Sequence, residues 1–111
     1  MSLSDQHCKP CEGGVQPYGA AEARAKMSEL AREWQLDASG KALVREFRFK
    51  NFYRTMSFVN AVAHIANIED HHPDLEVGYN YCRMQFTTHA IKGLCENDFI
   101  CASKVDELPL S

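Results

Sequence analysis

The sequence predicts an α+β domain: a four-stranded antiparallel sheet with helices packed on one face, in the order α-β-β-α-β-β-α. Three observations predict it. Apolar residues recur at helical spacing in three segments. They alternate with period two in the segments between. Turn residues fall where two alternating segments meet. A length of 111 residues suits one domain with a real core and leaves no room for two.

Residues 1–19 hold two of the four prolines and three of the six glycines, and read as a flexible, dispensable N-terminal leader ahead of a single domain over 20–111. From Ala20 the pattern turns helical, with Met27, Leu30, Ala31 and Trp34 at i, i+3, i+4 and i+7. "DASG" at 37–40 predicts a hairpin turn between a short strand at Trp34 to Leu36 and a longer one in which Leu43, Arg45, Phe47 and Phe49 share a face. The second helix, Phe52 to Ile68, carries its main stripe on Phe52, Met56, Val59, Ala63 and Ala66, widened by Phe58, Val62 and Ile65. Leu75, Val77 and Tyr79 alternate, as do Cys82, Met84 and Phe86, with "GYN" at 78–80 marking the turn. The last helix, Glu96 to Leu108, turns Phe99, Ala102 and Val105 inward.

Composition excludes several classes. A formal charge of −3 and a pI near 5.9 give no electrostatic reason to expect nucleic acid as a ligand. No apolar run approaches the ~18 residues of a membrane span. The opening "MSLSDQHCKPCEGG" lacks the charged and apolar regions of a signal peptide, which predicts a cytoplasmic protein. Five cysteines, at 8, 11, 82, 95 and 101, are an odd number and do not form a secreted disulfide framework. Cys8 and Cys11 have CxxC spacing, but no strand and helix flank them and no second ligand pair follows at zinc spacing, so they read as free thiols in the leader.

The chemistry concentrates in "EDHHPD", residues 69–74. His71 and His72 fall just past the long helix, with Pro73 ending it, and His89 falls just past the strand that closes on "FTT". Loops at the ends of rigid elements are where functional side chains gather. His64 stands alone on the long helix and reads as structural; His7 belongs to the leader.

Five residues separate Pro73 from Tyr79, nine separate Tyr79 from His89, and eight separate His89 from Asp98. With this spacing, "HHPDLEVGYNYCRMQFTTHAIKGLCEND" resembles the pterin-4a-carbinolamine dehydratase family, and the resemblance runs through "FRFKNFYRTMSFVNAVAHIA" to cover about residues 30–108. The chain departs from the family pattern at Asn67, where a charged residue is usual, at Cys95, where a serine caps the last helix, and at Asn97, where an arginine often stands.

The resemblance implies dehydration of a 4a-hydroxytetrahydropterin to the quinonoid dihydropterin, without metal or organic cofactor. Hydroxide leaves poorly at neutral pH, so one group must protonate the leaving oxygen and another must take the N5 proton; imidazole can do either. It implies that His71, His72 and His89 are catalytic, and that Asp98 or Asp70 orients an imidazole. The pterin edge would meet the backbone around Thr87, Thr88 and Ala90, with Tyr79 supporting the pocket wall. It also implies a homodimer or homotetramer serving an aromatic amino acid hydroxylase. Two other readings compete: a protein-interaction module that stabilises a transcription-factor dimer, and a metal-binding protein using the three histidines.

Overall fold

A tight turn fixes the first hairpin. The computed structural model describes residues 3–10 and 15–109. In it the Asp37 N–H donates to the Ala42 carbonyl (2.9 Å), the Gly40 N–H to the Asp37 carbonyl (3.0 Å), and the Lys41 N–H to the Asp37 carboxylate (3.0 Å). Gly40 has a φ of +71°, which a side chain would resist. The turn pairs β1 (Gln35–Leu36) with β2 (Leu43–Arg48) so that Leu36 faces Leu43. β3 (Asp74–Val77) and β4 (Tyr81–Phe86) form the second hairpin, and β4 inserts beside β2, giving the antiparallel order β1-β2-β4-β3.

Three helices complete the predicted order: α1 (Ala20–Lys26), α2 (Phe52–Glu69) and α3 (Glu96–Asp106). Period-two alternation sends Leu43, Phe47, Cys82, Met84 and Phe86 into one core with Phe58 and Val62 of α2 and Phe99 and Val105 of α3. Arg45 shares that inward face. Its guanidinium pairs with Asp106 (2.8 Å) and lies 4.2 Å from the centre of the Phe47 ring, so its charge is matched where it is half-buried. The opposite face of the sheet is salt-linked: Arg83 reaches Glu46 at 2.7 Å and Glu76 at 2.6 Å.

Three elements differ from the reading of the sequence. The first helix ends at Lys26 and tightens into a 3-10 turn over Met27–Glu29, because the Ala31 N–H donates to the Asp106 carboxylate (2.9 Å) rather than continuing a helical ladder. Leu30 and Trp34 are still buried, from the loop that follows.

On α2 the buried side chains are Thr55, Phe58, Val62 and Glu69, while Phe52 is half exposed. The core stripe is therefore the one expected only to widen the main stripe, rotated from it by roughly 100°, one residue step. Two polar residues mask it in the sequence. The Thr55 hydroxyl is satisfied by the carbonyls of Asn51 (3.0 Å) and Tyr79 (2.9 Å), and Glu69 by the N-terminal segment.

That segment is the third difference. Residues 3–10, expected to stand apart as a flexible leader, lie against α3. Leu3 is 2% exposed within the core, and the Lys104 ammonium donates to the Ser4 carbonyl (2.8 Å). Its holding groups come from Glu69, Asn97 and Lys104, which lie 61, 88 and 100 positions from the residues they hold and leave no mark on local composition.

Candidate active site

The register Asp74↔Gln85 sets the start of β3 beside the end of β4. The segment His71–Pro73, which enters β3, therefore meets Thr87–Ala90, which leaves β4. The end of α2 delivers the first of these. Asp70 adopts the left-handed conformation (φ 52°), one that aspartate tolerates, and the His71 N–H reaches back to the Ala66 carbonyl (3.2 Å).

His71 then turns inward. Its Nε2 lies 2.6 Å from Oδ1 of Asp98, and its ring stacks on Phe86 with an interplanar angle of 11°. Asp98 is fully buried, in the first turn of α3, where the helix dipole favours a negative charge. Its other oxygen accepts from the Thr88 hydroxyl (2.8 Å) and the Cys95 N–H (3.0 Å). A buried carboxylate is tolerable only when paired and hydrogen-bonded, and this one has three donors. Of the two candidate carboxylates, Asp98 is the one bonded to an imidazole; Asp70 remains exposed at the helix end. Cys95, at the cap position, still takes part through its backbone N–H.

His72 and His89 stay exposed. The Nδ1–H of His72 donates to the Pro73 carbonyl (3.2 Å), so in the neutral ring the lone pair is on Nε2. Nε2 of His89 lies 3.8 Å from the Asp74 carboxylate, two residues past His72. Ala90 follows in the exposed 3-10 turn His89–Ile91. Both Thr hydroxyls are committed: Thr87 donates to the Lys41 carbonyl (2.6 Å) and Thr88 to Asp98. The Thr88 backbone, expected to meet a ligand, pairs with Gly93 through both its N–H (2.9 Å) and its carbonyl (3.4 Å). Its hydroxyl reaches the His71 ring through Asp98 instead.

Tyr79 is not brought to the histidines. It caps the β3–β4 turn, at the opposite end of the ladder, and stacks on Phe52 with ring centres 6.5 Å apart. Three residue steps of strand, roughly 10 Å, separate the two ends. Its position in the sequence pattern reflects hairpin geometry within this chain.

The residues that sequence reasoning missed come from the N-terminal segment and the groups that hold it. A cleft of about 230 Å³ is lined by Cys8, Lys9 and Pro10 together with Asp70, His71 and Thr88. Glu69 and Asn97 complete it. The Sγ atoms of Cys8 and Cys101 are 3.4 Å apart; that contact first, then burial, pushes the Cys8 thiol well above its usual range. Cys8 is therefore a thiol, not a reactive thiolate. Cys11, its CxxC partner in the sequence, lies outside the described residues. His64 is exposed on α2. Among the described residues, no group of three or more His, Cys, Asp or Glu side chains is arranged to hold a metal ion, and no helix is long and apolar enough to cross a membrane.

Comparison with known proteins bears on the family and the fold. A protein of Nitrosomonas eutropha described as "putative pterin-4-alpha-carbinolamine dehydratase" is 57% identical over 109 residues, covering 98% of this chain and 95% of its own. One of Legionella pneumophila with the same description is 53% identical over 106 residues, 96% and 94% of the two chains. A crystal structure of a transcriptional coactivator/pterin dehydratase from Brucella melitensis superposes with a TM-score of 0.76 at 29% identity, over 81% of this chain and 95% of that one. The family model described as pterin 4 alpha carbinolamine dehydratase matches residues 16–108. With the match over residues 16–108 and relatives above 50% identity along nearly the whole chain, the chain belongs to the pterin 4 alpha carbinolamine dehydratase family.

Proposed function

We propose that the protein is a 4a-hydroxytetrahydropterin dehydratase that releases quinonoid dihydropterin and so recycles tetrahydropterin for an aromatic amino acid hydroxylase. The observation that carries this reading is the buried Asp98–His71 pair at the end of the ladder where His72 and His89 also stand. In the reaction the C4a–O bond breaks and the oxygen leaves as water with a proton from one imidazole. The N5 proton passes to another imidazole as the N5 to C4a double bond forms. Protons alone are exchanged, so the step calls for no metal or organic cofactor. His72 fits the base, because its Nδ1–H is committed to Pro73 and its Nε2 carries the lone pair. The acid is then His71 or His89. Asp70, Ala90 and the backbone at Thr87 edge the substrate, while Thr88 and Asp98 hold His71 in place.

A homodimer or homotetramer is part of this reading, since β3 is an edge strand and α2 leaves Phe52, Tyr53 and Ile68 exposed. The four described cysteines are free thiols, which suits a reducing, cytoplasmic setting. A second reading, an interaction module for another protein, draws on those same exposed residues of α2. A dehydratase assay separates the two. Active wild-type protein, with His72→Ala and His89→Ala each slowed by ~10²–10⁴-fold and unchanged in circular dichroism, is the expected result. Wild-type rates in both variants would remove His72 and His89 from the mechanism.

A further inference from the structure

We propose that residues Cys8–Pro10 form a wall of the substrate cleft, and that Asn97 and Glu69 are positioning residues that hold this wall beside His71. The inference rests on the dehydratase reading above and assigns part of its substrate site to the N-terminal segment.

Two buried polar side chains are committed to this segment. Asn97 is 6% exposed; its Oδ1 accepts the Lys9 N–H (3.0 Å) and its Nδ2 donates to the Lys9 carbonyl. One amide side chain thus satisfies both backbone groups of one residue, as a neighbouring strand would. The Glu69 side chain is 3% exposed, and its oxygens accept from the Cys8 N–H (2.7 Å) and from Nδ1 of His7 (2.9 Å), with the Lys104 ammonium 3.8 Å away. Burial pushes the Glu69 carboxyl up, but the Cys8 N–H, His7 and Lys104 outweigh it and hold the group below the usual carboxylate range. Three successive residues are fastened in this way, 7 through 9.

The position of these fastenings separates a wall from a simple core plug. Leu3 fills the core, and Ser4 is held by Lys104. Neither contact requires residues 8–10 to lie beside His71. Yet Cys8, Lys9 and Pro10 line the same cleft as Asp70, His71 and Thr88, with His72 and His89 outside its lining, so His71 is the histidine that this wall faces. Lifting the segment opens the cleft to water on that side. A flat bicyclic ring binds through contact with walls that exclude solvent, so its loss should appear in affinity before it appears in chemistry.

The experiment compares full-length wild type with Asn97→Ala, which removes both backbone hydrogen bonds to Lys9, and with Glu69→Gln, which keeps the shape and removes the charge. Dehydration kinetics give KM and kcat. Calorimetric titration with a 7,8-dihydropterin, which lacks the 4a-hydroxyl, gives Kd without chemistry. For Asn97→Ala, KM and Kd should both rise about tenfold, as the loss of one or two net hydrogen bonds implies, with kcat changed much less. Glu69→Gln should show the same split to a smaller degree, and thermal unfolding of each variant confirms that it folds. An active wild type whose KM and Kd are unchanged in both variants overturns the inference alone, as does a fall in kcat at constant KM. A wild type that neither turns over the carbinolamine nor binds the dihydropterin overturns the dehydratase reading and this inference with it.

Discussion

At the scale of single residues, Asp98 ties the His71 ring to the fold. Its three donors come from different parts of the chain: the His71 ring, the Thr88 hydroxyl and the Cys95 backbone. Such a network specifies orientation only when every member is satisfied. Asp98→Asn keeps the volume but removes the charge, and it replaces one acceptor oxygen with an NH2 group that faces donors. We expect a loss of about 1–3 kcal/mol in unfolding free energy from the mismatched buried polar group. We also expect dehydration to slow by at least ~10²-fold, because His71 loses its fixed orientation. Denaturant titration and steady-state kinetics measure the two effects. A variant with full activity would mean that His71 needs no anchor. The sequence pattern shows this residue clearly, since a carboxylate three positions into a helix and nine past a histidine is visible as spacing. It does not show Thr88 as the residue behind it, because a hydroxyl's partner is decided by the bridge between Thr88 and Gly93.

At the scale of elements, every predicted helix and strand exists, and the misreadings concern where the first helix ends and what the others face. Periodicity reports that α2 is amphipathic, but it ranks stripes by hydrophobicity alone. Thr55 and Glu69 look like surface residues until their partners, 24 and 61 positions away, are known. The first helix stops early for a similar reason: Asp106 captures a backbone N–H across the fold. Tyr79 sits in the right pattern at the wrong end of a hairpin. The two candidate stripes of α2 make different predictions. Phe58 is 5% exposed and packs its ring 4.6 Å from Phe47, whereas Phe52 is 49% exposed. Phe58→Ala should cost about 3–5 kcal/mol, and Phe52→Ala less than half of that. Equal costs in denaturant unfolding would restore the stripe that the sequence favours.

At the scale of the whole molecule, the question is which surfaces the chain covers by itself. The N-terminal segment closes the helical side. Leu3→Ala should therefore cost about 2–3 kcal/mol, a cavity-forming change in a residue that composition alone assigns to a disordered tail. An unchanged melting temperature would show that the segment adds nothing to the core. The open face of the sheet needs no cover, since Arg83, Glu46 and Glu76 form a polar ladder across it. The uncovered apolar surface lies elsewhere. Leu75 and Val77 pair with Met84 and Cys82, whose side chains are buried, yet they remain 37% and 38% exposed on the edge strand β3. An apolar edge strand with unpaired backbone groups pairs readily with its own copy across a two-fold axis. We predict that light scattering at micromolar concentration returns two or four times the 12.6 kDa of one chain. Val77→Lys, a charge on that edge, should shift the protein toward the single-chain mass without slowing unimolecular steps at the far end of the ladder. Because the contact is apolar, the assembly should also persist in high salt, where exposed ion pairs are screened. A wild-type mass of 12.6 kDa would mean that β3 tolerates water as an edge, as its flanking Asp74 and Glu76 charges would then have to explain.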